Sequence, residues 1–180
     1  MIDAARLRLT ESPVDVAHDL DHHRRVWENC IWVIGQEKLE GEVDLDVLRV
    51  AAWWHDVERG SETHELMQEA LKKVGMDVNW IGRVLLVINQ HPFGNGQDGV
   101  EARILYDADK LEYVSVERVE RVIEAIETGE MKSEVLLGYK RDFQMRLPHV
   151  PDSLNFKSTR RRFEEEKGEF LVCLKEVGME

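Results

Sequence analysis

The sequence has little cysteine, no long apolar run and no excess of positive charge, and each lack excludes a class of protein. Its 180 residues include two cysteines, Cys30 and Cys173, without a C-x-x-C spacing, so neither a disulfide framework nor a zinc ribbon is expected. Both lie in apolar helical patterns, which predicts buried thiols. No stretch approaches the roughly 20 apolar residues of a membrane span, and the N-terminus has no signal-peptide apolar segment. A cytoplasmic protein without a membrane partner is expected.

The charge of the chain is strongly negative, with 36 acidic and 24 basic side chains and a formal net charge of −12. Such a surface repels the phosphates of nucleic acids, so polymeric nucleic acid is not an expected partner. A small phosphorylated substrate stays compatible with this charge if the site supplies local positive groups. The sequence leaves the oligomeric state open, and a homodimer is one of the alternatives.

Helical periodicity runs through nearly the whole chain, without an alternating strand pattern or a repeat. Capping residues predict where helices begin: Ser12-Pro13, Asp44 or Asp46, Ser61-Glu62-Thr63, and Asp77. Later helices are expected over roughly 100–113, 115–128, 130–146 and 157–177. The fold class is therefore predicted to be all-α, a single-domain helical bundle of about 7–9 helices.

Several local expectations follow from the same patterns. The first long helix is predicted over Asp19 to Lys38, with its buried face formed by Val26, Cys30, Ile31 and Ile34. The helix that carries WWHD is expected to continue to Gly60. Pro148 to Asn155 is predicted to be a surface loop, and the glycine-rich FGNGQDG segment (93–99) a flexible connection or lid. The i,i+4 pairs of RRRFEEE (160–166) predict a solvated, salt-bridged helix face.

Ionisable groups at His55 and Asp56 directly follow an apolar run, where uncompensated polar groups are costly. His22 and Asp109 fall on two other predicted helices. Imidazole nitrogens and carboxylate oxygens together suit a transition metal or a hard divalent ion. Two histidines and two carboxylates would also leave coordination positions open for water and substrate.

Three segments resemble the signatures of the HD-domain superfamily of metal-dependent phosphohydrolases: HDLDHHRRV (18–26), AAWWHDVER (51–59) and YDADKLEYV (106–114). The resemblance covers about residues 14–128. It implies an HD-type helical domain over 1–180, in which 129–180 form a C-terminal helical extension packed on the core.

The resemblance also implies the metal ligands. They are His22 rather than His23, the pair His55-Asp56, and Asp109 rather than Asp107. The implied cofactor is one or two divalent ions of Mn, Fe, Ni, Co or Zn, with Mg as the alternative.

Two further histidines, His64 and His91, lie between the His-Asp pair and the last aspartate, as in dinuclear members of the superfamily. In that case they bind a second ion and Asp56 bridges the two. In the alternative, one ion is bound and both histidines line the substrate pocket. His18, one turn before His22, is expected to support a ligand.

The function that the resemblance implies is metal-dependent hydrolysis of a small phosphate ester or nucleotide. Asp56, Arg59 and Lys110 are the predicted catalytic residues. Arg59 lies four residues after His55 and is expected on the same helix face, Lys110 follows Asp109, and either cation can hold a phosphate. Arg25 is expected to pair with a buried carboxylate. Two alternatives stay open: a di-iron oxygenase that cleaves a C–C or C–P bond, and a non-catalytic metal or ligand sensor.

Overall fold

The computed structural model describes residues 1–11, 15–132 and 134–176, with the side chain of Glu134 left out. Over these residues the chain forms helices and turns and no strand, which confirms the all-α prediction. The helices are α1 (Ile2–Glu11), α2 (Leu20–Glu37), α3 (Leu45–Trp54), α4 (Glu65–Lys73), α5 (Val78–Asn89), α6 (Val100–Leu111), α7 (Val116–Glu127), α8 (Glu134–Arg146), α9 (Val150–Ser153) and α10 (Lys157–Glu176). Within the described ranges, no helix is long and apolar enough to cross a bilayer.

Aspartate caps begin three of these helices. The carboxylate of Asp19 accepts from the backbone N–H of His22, and Asp44 and Asp77 cap α3 and α5 in the same way. The predicted cap at Ser61-Glu62-Thr63 is wrong for α4, whose first backbone N–H groups donate to the carboxylate of Glu58 instead. The predicted start at Ser12-Pro13 lies outside the described residues.

The core is centred on α2, which packs against α3 and α6, while α3 also packs against α1 and α5. On α2, Val26, Cys30 and Ile34 are buried as predicted, but Ile31 is 45% exposed and Val33 is buried in its place. The reason is geometric, since Ile31 lies about 100° around the helix from Cys30 and so faces solvent. Helices α2, α3 and α6 thereby form the frame from which the polar residues of the site project.

Helix α3 ends at Trp54. The prediction that it continues to Gly60 is wrong. In a longer α-helix the carbonyl of Ala52 would accept from the N–H of residue 56. Here that carbonyl is 2.9 Å from Nδ1 of His55 and 3.2 Å from Nδ1 of His23. The imidazoles therefore occupy the acceptor that the next helical hydrogen bond would need, and residues 55–60 form turns.

The segment from Pro148 to Asn155 is not the predicted surface loop. It forms a 3-10 turn (Leu147–His149) followed by α9, and Val150 and Leu154 are buried. These side chains join a second apolar cluster that is shared with α10. The predicted division at residue 129 into a core and an extension stays a prediction.

One ion pair predicted for α10 is absent from the described residues. Arg160 donates to the carbonyl of Leu154, at 2.9 and 2.5 Å, rather than to Glu164. Arg162 and Glu166 do pair, at 2.7 Å. Arg162 also donates to Asn29 of α2 at 2.9 Å, so this side of α10 contacts the core and is not a purely solvated face.

Asp107 on α6 fastens the chain ahead of α10 to the core. Its buried carboxylate accepts from the N–H groups of Asn155 and Phe156, at 2.8 and 2.9 Å, and from the hydroxyl of Thr159 at 2.5 Å. Although Asp107 is two residues from Asp109, it contacts the C-terminal segment, and the cluster of possible metal ligands does not include it.

We expect Asp107→Ala to lower the free energy of unfolding by about 3 kcal/mol, because several buried donors lose their acceptor at once. Asp152→Ala is the matched control: this aspartate on α9 is exposed, so its change should stay within about 0.5 kcal/mol. Chemical denaturation of the three proteins measures the difference. Equal stability of both variants would contradict the anchoring role.

Candidate metal centre

Four buried side chains converge at the junction of α2, α3 and α6. One ligand atom from each of His22, His55, Asp56 and Asp109 lies within 4.8 Å of all the others. Nε2 of His22 is 3.2 Å from Nε2 of His55 and 3.6 Å from Oδ1 of Asp109. Nε2 of His55 is 3.5 Å from Oδ2 of Asp56. Two imidazole nitrogens and two carboxylate oxygens thus surround a single point.

The local folding of each segment explains this convergence. His22 lies in the first turn of α2, where the Asp19 cap fixes the backbone. His55 and Asp56 follow the end of α3 immediately, rather than lying on the helix as predicted. Asp109 lies near the end of α6, which packs against α2.

Hydrogen bonds at Nδ1 leave Nε2 of both imidazoles free. Nδ1 of His55 faces the carbonyl of Ala52, so it must carry the proton. Nδ1 of His22 is 3.4 Å from the carboxylate of Glu112, which also accepts from Nε of Arg25 at 2.9 Å. Each Nε2 therefore has a lone pair directed at the centre, and an imidazole fixed by a carboxylate or carbonyl is the usual arrangement of a metal-bound histidine.

The charges of the cluster also suit a bound cation. Burial lowers the pKa of His22 well below its usual value, and the neighbouring imidazoles add to this effect. Burial alone would lower the pKa of His55, but the carboxylates of Asp56 and Asp109 outweigh it and raise that pKa. Two lone pairs 3.2 Å apart can share only one proton. A divalent cation would neutralise both carboxylates and accept both lone pairs, so the residues fit a metal ion.

His91 approaches the other oxygen of Asp56. Its Nε2 lies 3.6 Å from Oδ1, whereas Oδ2 faces His55, and its Nδ1 is 2.6 Å from the carbonyl of Ile88. His64 is also buried, at the start of α4, and its Nε2 is 3.2 Å from Oδ1 of Asn89. Neither histidine belongs to the four-residue cluster.

His18 lies in the loop before α2, beside the cluster. Nδ1 of His18 is 2.8 Å from Oδ1 of Asp15, and its Nε2 is 3.6 Å from Oδ2 of Asp56. Burial would raise the pKa of Asp15, but the hydrogen bonds from His18 and from the N–H of Ala17 hold it below its usual value. The carboxylate of Asp15 thus orients this imidazole toward Asp56.

The two predicted phosphate-binding cations differ in environment. The ammonium of Lys110 is buried, 2.6 Å from Oδ2 of Asp109, and lies over the rings of Tyr106 and Tyr113. Arg59 is half exposed and 3.3 Å from Oδ2 of Asp15. The expectation that Arg59 shares a helix face with His55 is wrong, because the helix has ended before both residues.

The cluster opens into a cavity of about 890 Å³, a volume typical of small-molecule sites. Aromatic side chains of Phe93, Tyr113, Tyr139 and Phe143 line it, together with Arg59, Lys110, Arg118 and Arg146. Sequence reasoning missed Arg118, Tyr139 and Arg146, since they lie beyond the three motifs. The only local signal was the Ser115 cap, which fixes the backbone of Arg118.

No protein-family model matches this chain, and no curated protein has a significant sequence match. Solved structures do match it along nearly its whole length. A predicted HD superfamily hydrolase from an uncultured Thermotogales bacterium has a TM-score of 0.65 at 20% identity, covering 98% of this chain and 88% of that one.

Two further structures match equally well. Bacillus subtilis YpgQ, determined in complex with ADP, has a TM-score of 0.66 at 20% identity and covers 98% of this chain and 96% of its own. A Lactobacillus plantarum protein has a TM-score of 0.71 at 15% identity, with 98% and 94% covered. The likeness to the predicted HD superfamily hydrolase confirms the predicted HD-type fold.

We expect Asp56→Ala to remove nearly all bound metal, because it deletes one of the two carboxylates of the cluster. Asp46→Ala, an exposed change on α3, is the matched control and should bind metal as the wild type does. Elemental analysis after loading and desalting gives the stoichiometry, and circular dichroism checks folding. Full metal content in folded Asp56→Ala would show that Asp56 is not a ligand.

Proposed function

We propose that this protein is a metal-dependent phosphohydrolase that acts on a small phosphate ester or nucleotide. The observation that carries the proposal is the convergence of His22, His55, Asp56 and Asp109, with both Nε2 lone pairs directed inward, at a cavity lined by cations. The HD-type fold supports the same reaction class. The open cavity favours turnover over a purely structural or sensory metal site.

In this proposal the four clustered side chains hold a divalent ion. When bound, such an ion supplies Lewis-acid activation of water and of a phosphoryl oxygen. Glu112 and the Ala52 carbonyl keep the two imidazoles in the tautomer that binds it. Water adds to phosphorus, the bond to the leaving oxygen breaks, and the leaving group departs into the cavity.

Cations beside the cluster hold the substrate. Lys110 gives one N–H to Asp109, and its remaining donors have no other hydrogen bond among the described residues. Arg59 reaches the same cavity from the turn after α3. Both groups offset the negative charge that accumulates on the phosphoryl oxygens in the transition state. These local cations are needed because the chain as a whole has a net charge of −12.

The test is metal analysis of the purified protein followed by a screen of phosphorylated metabolites with each ion. Because the similar structure of YpgQ contains ADP, nucleoside mono-, di- and triphosphates are the first compounds to assay. Released phosphate or pyrophosphate that depends on the ion and disappears in Asp56→Ala supports the proposal. A metal-loaded protein that cleaves none of these compounds would contradict it.

His91→Ala and His64→Ala separate one bound ion from two. We propose that two ions bind, because the two oxygens of Asp56 face different imidazoles, as a bridging carboxylate requires. Each variant should then reduce the stoichiometry from about two ions per chain toward one, through loss of a neutral ligand.

Replacement of His149, a surface-facing histidine of the 3-10 turn after α8, is the matched control, and His149→Ala should keep the wild-type stoichiometry. A wild-type stoichiometry of one that neither variant changes would mean that His64 and His91 line the pocket. Two tightly held irons with consumption of O₂ would favour the oxygenase alternative instead.

A further inference from the structure

Arg118 is a buried cation without an anionic partner among the described residues. It is the third residue of α7, and the Ser115 hydroxyl caps its backbone N–H. Only 9% of the residue is exposed. Its Nη2 lies 3.3 Å from Nε2 of His18, its guanidinium lies over the ring of Tyr113, and its buried Nε has no hydrogen-bond partner.

This arrangement is costly unless a ligand completes it. A guanidinium has five N–H donors and stays charged at all physiological pH values. Buried charges are normally paired, and an unpaired one carries a large desolvation cost. Arg25, by comparison, donates to the carboxylate of Glu112 at 2.9 Å. Arg118 has only an imidazole nitrogen of His18 and the aromatic face of Tyr113.

The position of Arg118 relative to the metal centre is set by one imidazole. Nε2 of His18 is 3.3 Å from Nη2 of Arg118 and 3.6 Å from Oδ2 of Asp56. The imidazole of His18 therefore lies between the guanidinium and the ligand cluster. The guanidinium and the ligand cluster line the same cavity. An anion bound to Arg118 would be adjacent to a group bound at the metal centre, and distinct from it.

The other arginines of the cavity are less suited to this role. Arg59 already pairs with Asp15, and about half of its side chain is exposed. Arg146 pairs with Asp142 at 2.8 Å and donates to the hydroxyl of Tyr113. A new anion would have to compete with a carboxylate at either residue, whereas Arg118 has donors to offer.

We infer that Arg118 binds a second phosphoryl group of the substrate, beside the one held at the metal centre. The inference rests on the proposed function and specifies its substrate class: compounds with two or more linked phosphoryl groups bind better than monoesters. A guanidinium suits this task because it contacts two phosphate oxygens at once. Arg118 acts as a specificity-determining residue and takes no part in bond cleavage.

The experiment measures binding rather than turnover, so that it stays informative if the protein hydrolyses nothing tested. Metal-loaded protein is titrated by calorimetry with AMP and with the methylene-bridged analogue of ADP, whose two phosphoryl groups cannot be separated by hydrolysis. The wild type should bind the analogue more tightly than AMP. Equal affinities for the two compounds in the wild type would overturn the inference.

Arg118→Gln should weaken binding of the analogue by roughly tenfold or more, the scale of a hydrogen bond to a charged group. Its affinity for AMP should change by less than about twofold, because AMP uses the metal centre alone. Arg141→Gln, an exposed change of the same charge on α8, is the matched control and should bind both compounds normally. Metal content is measured on every sample.

Wild-type affinity of folded Arg118→Gln for the analogue would overturn the inference, whether or not the enzyme is a phosphohydrolase. An equal loss for AMP and the analogue would also overturn it, since that pattern indicates general damage to the cavity. If Arg118→Gln does not fold, Arg118→Lys decides. Lysine keeps the positive charge but cannot make the bidentate contact of a guanidinium. Arg118→Lys should therefore weaken binding of the analogue alone by about threefold. An unchanged affinity for the analogue would refute the role.

Discussion

The backbone carbonyl of Ala52 accepts hydrogen bonds from two imidazoles, and the geometry of the metal centre depends on this interaction. It ends α3 at Trp54, because the carbonyl is no longer available to continue the helix. It also places the proton of His55 on Nδ1, so that Nε2 keeps a lone pair directed at the centre. A single acceptor thus fixes the end of α3 and the tautomer of His55.

The core supplies the rigidity that this interaction needs. Trp53 and Trp54 are almost completely buried, and α3 packs against α1, α2 and α5. A carbonyl on such a helix cannot move far to relieve a poor hydrogen bond, and the imidazoles must adapt to it instead. Preorganised ligands lower the cost of ordering a site when the ion binds. The apolar run before His55 therefore contributes to the candidate metal centre by fixing the carbonyl of Ala52.

Much of the fold can be predicted from sequence, because it depends on local patterns. Helical periodicity located α2, and aspartate caps located α3 and α5. The resemblance to the HD-domain motifs selected Asp109, which lies in the buried cluster, rather than Asp107. Where a tertiary contact overrides local propensity, prediction failed. The end of α3 depends on side-chain hydrogen bonds to Ala52, and the Pro148–Asn155 segment is ordered by burial of Val150 and by the carboxylate of Asp107.

The walls of the cavity were beyond sequence reasoning for a different reason. Arg118 and Arg146 lie on two helices outside the motifs, and an arginine on an amphipathic helix is usually a surface residue. The local sequence pattern does not indicate that Arg118 is buried beside His18. The three-dimensional structure adds that the same cavity holds two carboxylates at the ligand cluster and several cations around it.

This distribution of charge implies an order of binding. Without an ion, Asp56 and Asp109 repel an approaching phosphate, and the chain's net charge of −12 adds to that repulsion. In the proposed function, a divalent ion would neutralise both carboxylates, and Lys110, Arg59 and Arg118 would then set the sign of the local potential. Under that proposal anion affinity would be coupled to occupancy of the cluster by an ion, and by linkage a bound anion would increase the affinity for the ion.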